Sequence, residues 1–266
     1  MKMKSLMRSA LALSCALAVR TAAASDATIW AVGEPDGRPA GFALAPDGFR
    51  DFLARDFGYE DKFYLVGHSD PAADFPYVLP GPADTWGGTW PTSGWRTHEV
   101  NILFGLDGQP EGDCLLAVDL ADYAKRFPPL VKVSVNGQDA WFRLNDPDDP
   151  AAAGRRYGQQ EPTVDTLSLT GRFERATPRR LEMPLRRGTL REGGNTVRVT
   201  VLEGSWILFD RVALEGPSSV HPTQPEGLYV RDVAAAPYEL DRDGKRVQPL
   251  LVDVEWLDAA PMLSVE

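Results

Sequence analysis

The chain has 266 residues, a formal net charge of −10 and two cysteines. The excess of acidic residues argues against nucleic acid and anionic membranes as partners, because phosphate groups are bound by clustered positive charge. No apolar run after the N-terminal segment is long enough to span a bilayer, and the length is sufficient for the core of one large domain.

The first 24 residues are predicted to be a secretory signal peptide. Lys2, Lys4 and Arg8 form a basic start, an apolar run follows, and Ala22–Ala24 offers a cleavage site of small residues. A secreted or periplasmic mature chain is therefore expected to begin at Ser25. Loss of the four basic residues of this segment leaves 24 Lys and Arg against 38 Asp and Glu, a formal charge of −14.

Short segments with period-two alternation dominate residues 28–215 and are separated by Gly, Pro, Asn and Asp. They predict an all-β fold, an antiparallel β-sandwich. In the clearest hairpin, alternating valines from Val131 to Val135 precede Asn136-Gly137, a pair suited to the positive φ angles of a tight turn. Cys114 alternates with apolar residues in another strand and is predicted to be a small buried hydrophobe; after cleavage it has no partner for an intramolecular disulfide.

Three regions depart from simple alternation. A short helix capped by Asp47 is predicted, since the apolar residues from Phe49 to Phe57 have helical spacing. Residues 216–227 are rich in turn formers and predict a linker, and residues 228–266 predict a partial second β-domain or C-terminal extension.

The last predicted strand of the sandwich carries two unusual residues. Trp206 shares an apolar face with Leu208, Val212 and Leu214 and is predicted to be core. Asp210 interrupts that face, which predicts either a bulge or a hydrogen bond to a buried backbone group.

Three sequence blocks occur in a familiar order. They run from Trp30 to Phe42 with Gly-Glu, Asp-Gly and Gly-Phe pairs, from Phe75 to Trp86, and from Leu190 to Glu215. Together they resemble the C-terminal, galactose-binding-like jelly roll of rhamnogalacturonan lyases, polysaccharide lyase family four. The resemblance covers residues 28–215 and implies a carbohydrate-binding sandwich. It implies no lyase activity, because the catalytic residues of those enzymes lie in a separate N-terminal domain, and no position here inherits a catalytic role.

Catalytic signatures are not found in the sequence. His98-Glu99 begins like a zinc-binding helix motif, but Ile102 stands where the second histidine belongs. His68, Ser69 and Asp70 are adjacent, so they cannot orient one another as a hydrolase triad does. The sequence favours a non-catalytic protein without a cofactor. A fragment or accessory part of a polysaccharide lyase or glycoside hydrolase remains the alternative, since paired carboxylates that meet by folding are not readable from β-sequence.

A loop rich in Gly, Pro and Thr holds three tryptophans. Sugars expose an apolar C–H face that stacks on Trp or Tyr, while their hydroxyls bond to planar polar side chains. We therefore predict carbohydrate binding by the tryptophans and their polar neighbours, namely Asp84, Trp86, Trp90, Trp95, Arg96 and His98. The alternative is that the tryptophans cover the core beneath a long loop.

A second long loop follows Leu144. Tyr157 and Trp141 flank it and are expected to form a second wall of the sugar site. Its acids Asp146, Asp148 and Asp149 offer the hard oxygen ligands of a structural Ca²⁺ site, the alternative being a solvated turn.

The expected partner is a plant cell-wall or related polysaccharide, together with a catalytic domain or neighbouring enzyme. The acidic balance disfavours a strongly polyanionic substrate unless the arginines between residues 155 and 180 gather locally. A third interpretation is a structural spacer that packs on a catalytic domain, with its tryptophans buried at that interface.

Overall fold

The computed structural model describes residues 27–55, 57, 63–88, 97–145, 167–224 and 228–256. Most regular structure in these residues is β-strand; helical structure is limited to one turn, α1 (Pro71–Asp74), and to 3-10 turns at Gly48–Asp51, Thr85–Gly87 and Ser168–Thr170. No helix of the described residues is long and apolar enough to cross a membrane. The strands are β1 (Ala27–Gly33), β2 (Phe63–Leu65), β3 (Val78–Leu79), β4 (Glu99–Leu106), β5 (Cys114–Tyr123), β6 (Leu130–Val135), β7 (Gln138–Arg143), β8 (Arg179–Leu185), β9 (Gly193–Glu203), β10 (Ile207–Gly216), β11 (Pro222–Thr223), β12 (Leu228–Ala235), β13 (Leu240–Arg242), β14 (Lys245–Val247) and β15 (Leu250–Trp256).

Two sheets form the sandwich. The β10 sheet has the order β1-β10-β5-β8, with β3 also paired to β10. The β9 sheet has the order β11-β4-β9-β6-β7, with β2 added in parallel to β4. Apart from β2 with β4, these strand pairs are antiparallel, and the chain crosses repeatedly between the sheets. The predicted antiparallel sandwich of the jelly-roll type is therefore confirmed.

One continuous core lies between the sheets. The apolar side chains of the β9 sheet, such as Val133 and Val199, pack against those of the β10 sheet, such as Leu116 and Leu214. Trp206 is only 3% exposed, so its predicted core position is confirmed.

Cys114 lies in this core as the sequence predicted. Burial, with the nearby Asp113 charge, raises the pKa of the Cys114 thiol. The thiol therefore stays protonated at neutral pH and serves as a small apolar side chain.

Turn chemistry explains the best-predicted hairpin. Asn136 and Gly137 have φ angles of 47° and 86° and connect β6 to β7 in the expected register. The Asn136 side chain also accepts a hydrogen bond from Thr196 N at 2.9 Å and so ties the turn to β9. Local sequence and tertiary packing therefore favour the same hairpin.

Asp210 combines both features that the sequence offered as alternatives. The register of β10 against β5 shifts between Leu208 and Phe209 and again between Phe209 and Arg211, which places a bulge at Phe209 and Asp210. Its carboxylate accepts a hydrogen bond from Arg38 N at 3.0 Å. Burial is the main cause that raises the pKa of Asp210 to about 6. The bulge thus turns a carboxylate toward the loop after β1.

The helix predicted behind Asp47 does not form as expected. Gly48–Asp51 makes a single 3-10 turn, and the Asp47 side chain makes no cap hydrogen bond. The apolar spacing instead reflects burial, since Phe52 and Phe57 pack into the core from successive turns. So short a segment gains too few internal hydrogen bonds to nucleate an α-helix unless tertiary packing favours it.

The two long loops singled out in the sequence leave and return at one end of the sandwich. Here β5, β7 and β9 end and β4, β6, β8 and β10 begin; we call this the loop end. Residues 88 and 97 flank the first loop and residues 145 and 167 flank the second. The described residues that flank both loops therefore lie at the same end of the fold.

The segment beyond β10 continues as β-structure. β11, inside the predicted linker, pairs with Gly105 and Leu106 at the end of β4. Farther on, β12 pairs with β15 and β13 pairs with β14 in two separate two-stranded ladders. The division of the chain at residues 215 and 227 stays a prediction.

Replacing Gly204 by alanine is expected to destabilise the sandwich more than replacing Gly193. Both glycines have positive φ, 79° and 74°, and an L-residue in this region costs about 1–2 kcal/mol. At Gly204 the added Cβ would also lie 2.5 Å from Pro128 O, whereas at Gly193 it would meet nothing within 4 Å. Urea unfolding followed by tryptophan fluorescence measures the two losses; equal losses would contradict the close approach at Gly204.

Candidate functional site

The structure describes only part of the predicted sugar site. Asp84, Trp86 and His98 lie at the loop end. The remaining candidates for sugar binding lie outside the described residues and stay predictions: Trp90, Trp95, Arg96 and Tyr157. The proposed calcium ligands Asp146, Asp148 and Asp149 also lie outside them.

Asp84 is buried and ties two loops together. Only 6% of its surface is exposed. Its carboxylate accepts hydrogen bonds from Ser205 Oγ at 2.5 Å and from Gly81 N at 2.9 Å. Burial outweighs these bonds and raises the pKa of Asp84 to about 7. The carboxyl group therefore joins the loop after β3 to the turn between β9 and β10.

Trp86 and His98 pack beside Asp84 against phenylalanines. The Trp86 indole hydrogen-bonds to the Asp84 carboxylate, and its ring centroid lies 5.0 Å from that of Phe49 in an edge-to-face contact. His98 hydrogen-bonds through Nε2 to Gly87 O, and its ring lies 5.3 Å from that of Phe52. These contacts agree with the alternative in which loop aromatics cover the core. A sugar contact by the three residues stays a prediction.

The outer face of the β9 sheet presents a different array, which we call the sheet face. Strand pairing places Glu99, Thr200, Lys132 and Trp141 in one row across β4, β9, β6 and β7. The adjacent row consists of Asn101, Arg198, Ser134 and Asp139. With strands spaced about 4.8 Å apart, each row extends roughly 14 Å. The sheet face thus offers an extended polar track that ends on an aromatic ring.

Trp141 is the exposed aromatic residue of this track. Its side chain points away from the core on the edge strand β7, and it is 58% exposed. The Lys132 ammonium lies 5.8 Å from its ring centroid and 2.9 Å from Asp139. So large and exposed a ring is available to stack on a ligand.

Ion pairs hold the polar side chains of the sheet face. Arg198 lies 2.8 Å from Glu99, and Arg143 lies 2.6 Å from Glu203 at the loop end of the same face. Exposed pairs of this kind contribute little stability, at most about 1 kcal/mol each, but they restrict side-chain orientation. The cations of the sheet face already have carboxylate partners, so the face carries no concentrated positive charge.

Two of the arginines considered for a cationic patch are also paired with carboxylates. Arg180 on β8 contacts Asp119, Glu182 and Glu215, and Arg172 contacts Glu174. No group of three or more His, Cys, Asp or Glu side chains within the described residues is arranged to hold a metal ion.

Sequence reasoning identified Trp141 only as a flank of the second loop and missed the rows beside it. The sequence feature that pointed to these rows is the set of polar residues that alternate with core residues in each strand. Lys132 and Ser134 in β6 and Arg198 in β9 lie between the core residues that predicted those strands. Strand order is needed to see that these polar positions form one surface.

Comparison with known proteins gives one family match over most of the chain. Residues 28–214 match the family described as CBM-like, polysaccharide lyase family 4, domain III. No curated protein matches.

Solved structures with detectable similarity include three carbohydrate-active proteins. A CBM35 from Cellvibrio japonicus Abf62 is 14% identical, with a TM-score of 0.29, over 49% of this chain and 72% of that one. A ruminal GH26 endo-β-1,4-mannanase is 12% identical, with a TM-score of 0.30, over 70% of this chain and 25% of that one. The GH115 4-O-methyl-α-glucuronidase BtGH115A is 12% identical, with a TM-score of 0.24, over 46% and 15%.

The Asp84→Asn variant is expected to lose part of the pH dependence of stability. The pKa of Asp84 is about 7 in the folded chain against a usual value of 3.8. At a pH between these two pKa values, Asp84 keeps its proton in the folded state and has released it in the unfolded state. The contribution of Asp84 to the free energy of unfolding therefore falls as pH rises from 4 to 7, by up to ~1.4 kcal/mol per pH unit.

Urea unfolding at pH 4, 5, 6 and 7 measures this difference between the native chain and Asp84→Asn. Asp210→Asn is the matched control. The pKa of Asp210 is about 6, so its contribution to the free energy of unfolding should already be lost by pH 6, whereas that of Asp84 falls until pH 7. Parallel stability curves for the native chain and Asp84→Asn would show that the pKa of Asp84 is the same in the folded and the unfolded chain.

Proposed function

Because this chain belongs to the CBM-like family of domain III of polysaccharide lyase family 4 through residues 28–214, we propose that it is a non-catalytic carbohydrate-binding domain. The proposed binding surface is the sheet face. The observation that carries this choice is Trp141, 58% exposed at one end of the polar track. An aromatic ring that stacks on a sugar's C–H face and polar groups that bond its hydroxyls are the two elements of sugar recognition.

The sheet face is suited to a polymer more than to a single compact ligand. Its row from Glu99 to Trp141 crosses four paired strands, with Thr200 buried between the more exposed side chains of Glu99, Lys132 and Trp141. The strands fix the backbone, and the ion pairs fix the charged side chains. Such preorganisation lowers the entropy lost when an extended chain binds.

The tryptophan loop is proposed to extend the same surface. Trp90, Trp95 and Arg96 precede β4, whose first residue is Glu99 of the track. Asp84, Trp86 and His98 anchor the start and return of this loop through their buried contacts. In this arrangement the anchors act on sugar binding by positioning the loop.

The proposed partner is a plant cell-wall or related polysaccharide, and a catalytic domain or neighbouring enzyme supplies the bond cleavage. Export is part of the proposal because such polymers lie outside the cell and because residues 1–24 have the pattern of a signal peptide. Expression with residues 1–24 intact is expected to give exported protein that begins at Ser25, as read by mass spectrometry. Intracellular protein that retains Met1 would contradict export.

Trp141→Ala is expected to weaken binding of a cell-wall oligosaccharide by about tenfold or more, since the stacking surface is lost. Isothermal titration with β-1,4-linked tetrasaccharides of galactose, mannose, xylose and glucose measures the effect. Tyr238→Ala is the control, because Tyr238 is a comparably exposed aromatic residue outside the sandwich strands. Trp141 is on an exposed edge, so its loss should leave urea unfolding nearly unchanged.

Loop variants separate the two parts of the proposed surface. Unchanged affinity in Trp141→Ala with lost affinity in Trp90→Ala or Trp95→Ala would move the site from the sheet face to the loop end. No binding by the native chain across a broad panel of polysaccharides would support the structural spacer.

A further inference from the structure

An ion pair lies directly beside the exposed indole of the sheet face. Lys132 of β6 pairs with Trp141 of β7, and Asp139 precedes Trp141 by two residues on the same strand. Alternate residues of a strand share a face, so Asp139 and Trp141 lie on the same side of the sheet. The Lys132 ammonium nitrogen lies 2.9 Å from Asp139 Oδ2 and 5.8 Å from the centroid of the Trp141 ring. A donor and an acceptor are therefore held next to the proposed stacking surface.

Both groups of this pair can be reached from solvent. The side chain of Lys132 is 33% exposed and that of Asp139 is 28% exposed. The ammonium group has further N–H donors beyond the one directed at Asp139, and the carboxylate has lone pairs beyond those that Lys132 and Ser134 use. The pair can therefore bind a ligand without breaking its own hydrogen bond.

The Asp139 carboxylate is held as an ionised acceptor. Burial acts to raise the pKa of Asp139, but the hydrogen bonds from Lys132 and Ser134 and the charges of Lys132 and Arg198 outweigh burial and lower the pKa. Asp139 therefore only accepts hydrogen bonds at neutral pH, while the Lys132 ammonium only donates them. Contacts on two sides fix the carboxylate before a ligand arrives, which lowers the entropy lost on binding.

This arrangement matches two adjacent hydroxyl groups of a pyranose ring. When such hydroxyls are gauche, their oxygens are separated by a distance similar to that between Lys132 Nζ and Asp139 Oδ2. One hydroxyl oxygen accepts from the ammonium group, and its neighbour donates to the carboxylate. Hydrogen bonds to charged groups are stronger than those between neutral groups. The apolar C–H face of the same sugar is then available to stack on Trp141.

The charges around the indole favour a neutral sugar. The positive charge of Lys132 is already paired with Asp139 at 2.9 Å. A uronate carboxylate brought to the ammonium group would also approach Asp139, where like charges repel. A hydroxyl group meets no such repulsion, because it can donate to the carboxylate.

We propose that Lys132 and Asp139 bind the vicinal diol of a neutral pyranose stacked on Trp141, so that the ligand is a neutral glycan with unsubstituted ring hydroxyls. In a 1,4-linked chain this diol consists of the 2- and 3-hydroxyls. Acetyl or methyl groups on these oxygens remove the O–H group that donates to Asp139. The inference rests on the proposed binding of glycan at the sheet face and adds its substrate class.

The test uses the full chain with the double substitution Lys132→Met and Asp139→Leu. Together they remove the donor and the acceptor, keep side chains of similar size and leave no unpaired charge behind. The ligand is the best-bound tetrasaccharide among β-1,4-linked galactose, mannose, xylose and glucose. Isothermal titration is expected to show an affinity about tenfold lower than that of the native chain, because hydrogen bonds to two charged groups are lost.

A 2,3-di-O-methyl derivative of the same tetrasaccharide separates recognition of the diol from a structural effect. The native chain is expected to bind the methylated ligand at least about tenfold more weakly than the free ligand, whereas the double variant should bind the two within about twofold. Steric hindrance by the methyl groups would persist in the double variant, and a purely structural loss would weaken both ligands equally. The comparison in the native chain needs no variant to fold.

The double substitution Glu239→Leu and Arg246→Met is the matched control. It removes an ion pair of 3.3 Å that lies outside the strands of the sandwich, and it should keep both the native affinity and the native preference for the free diol. Urea unfolding of the Lys132→Met and Asp139→Leu chain should have nearly the native midpoint, because partly exposed ion pairs contribute little stability.

The outcomes separate the diol site from the proposed function. Equal affinity of the native chain for the free and methylated ligands, or an undiminished preference in the double variant, overturns the diol site; loss of binding in Trp141→Ala would still support the sheet face. Tighter binding of tetragalacturonic acid than of any neutral tetrasaccharide overturns the neutral assignment. Absence of binding by the native chain to the whole panel overturns both the diol site and the proposed function.

Discussion

The central constraint in this fold is the pairing of β10 with β1 on one side and β5 on the other. β1 is the first strand of the sandwich and β10 is its last long strand. The β10 sheet therefore forms only when the two ends of the domain meet. Bringing such distant segments together costs loop-closure entropy. Burial of side chains such as Phe209 and Leu214 in the core offsets this cost. The bulge at Asp210 lets the strand keep this burial while one carboxylate turns toward the loop after β1.

Aromatic residues serve two different purposes in this chain, and burial separates them. Trp86 packs on phenylalanines and joins the hydrogen bonds around Asp84, so it helps to close the loop end. Trp141 lies on an edge strand with most of its ring exposed. Both are tryptophans near long loops, yet Trp86 makes contacts within the chain whereas most of the Trp141 ring is exposed.

Charge pairing explains how an acidic chain can present the polar surface that we propose for sugar binding. The cations of the sheet face are bound to neighbouring carboxylates, as Lys132 is to Asp139 and Arg198 to Glu99. The face therefore presents many hydrogen-bonding groups but little net electrostatic potential. Such a surface favours ligands rich in hydroxyls over polyanions, because a polyanion gains from concentrated positive charge.

Alternation and turn chemistry were sufficient to predict the sandwich, the hairpin at Asn136-Gly137 and the burial of Cys114 and Trp206, because these depend on periodicity and local backbone geometry. Spacing failed at Phe49 to Phe57, where tertiary burial replaced the expected helix with turns. The sheet face was also beyond sequence reasoning. Glu99, Thr200, Lys132 and Trp141 come from four distant segments, and only strand order and register place them in one row. A polar position in a strand shows that it faces away from the core; its neighbours across the sheet are set by long-range pairing.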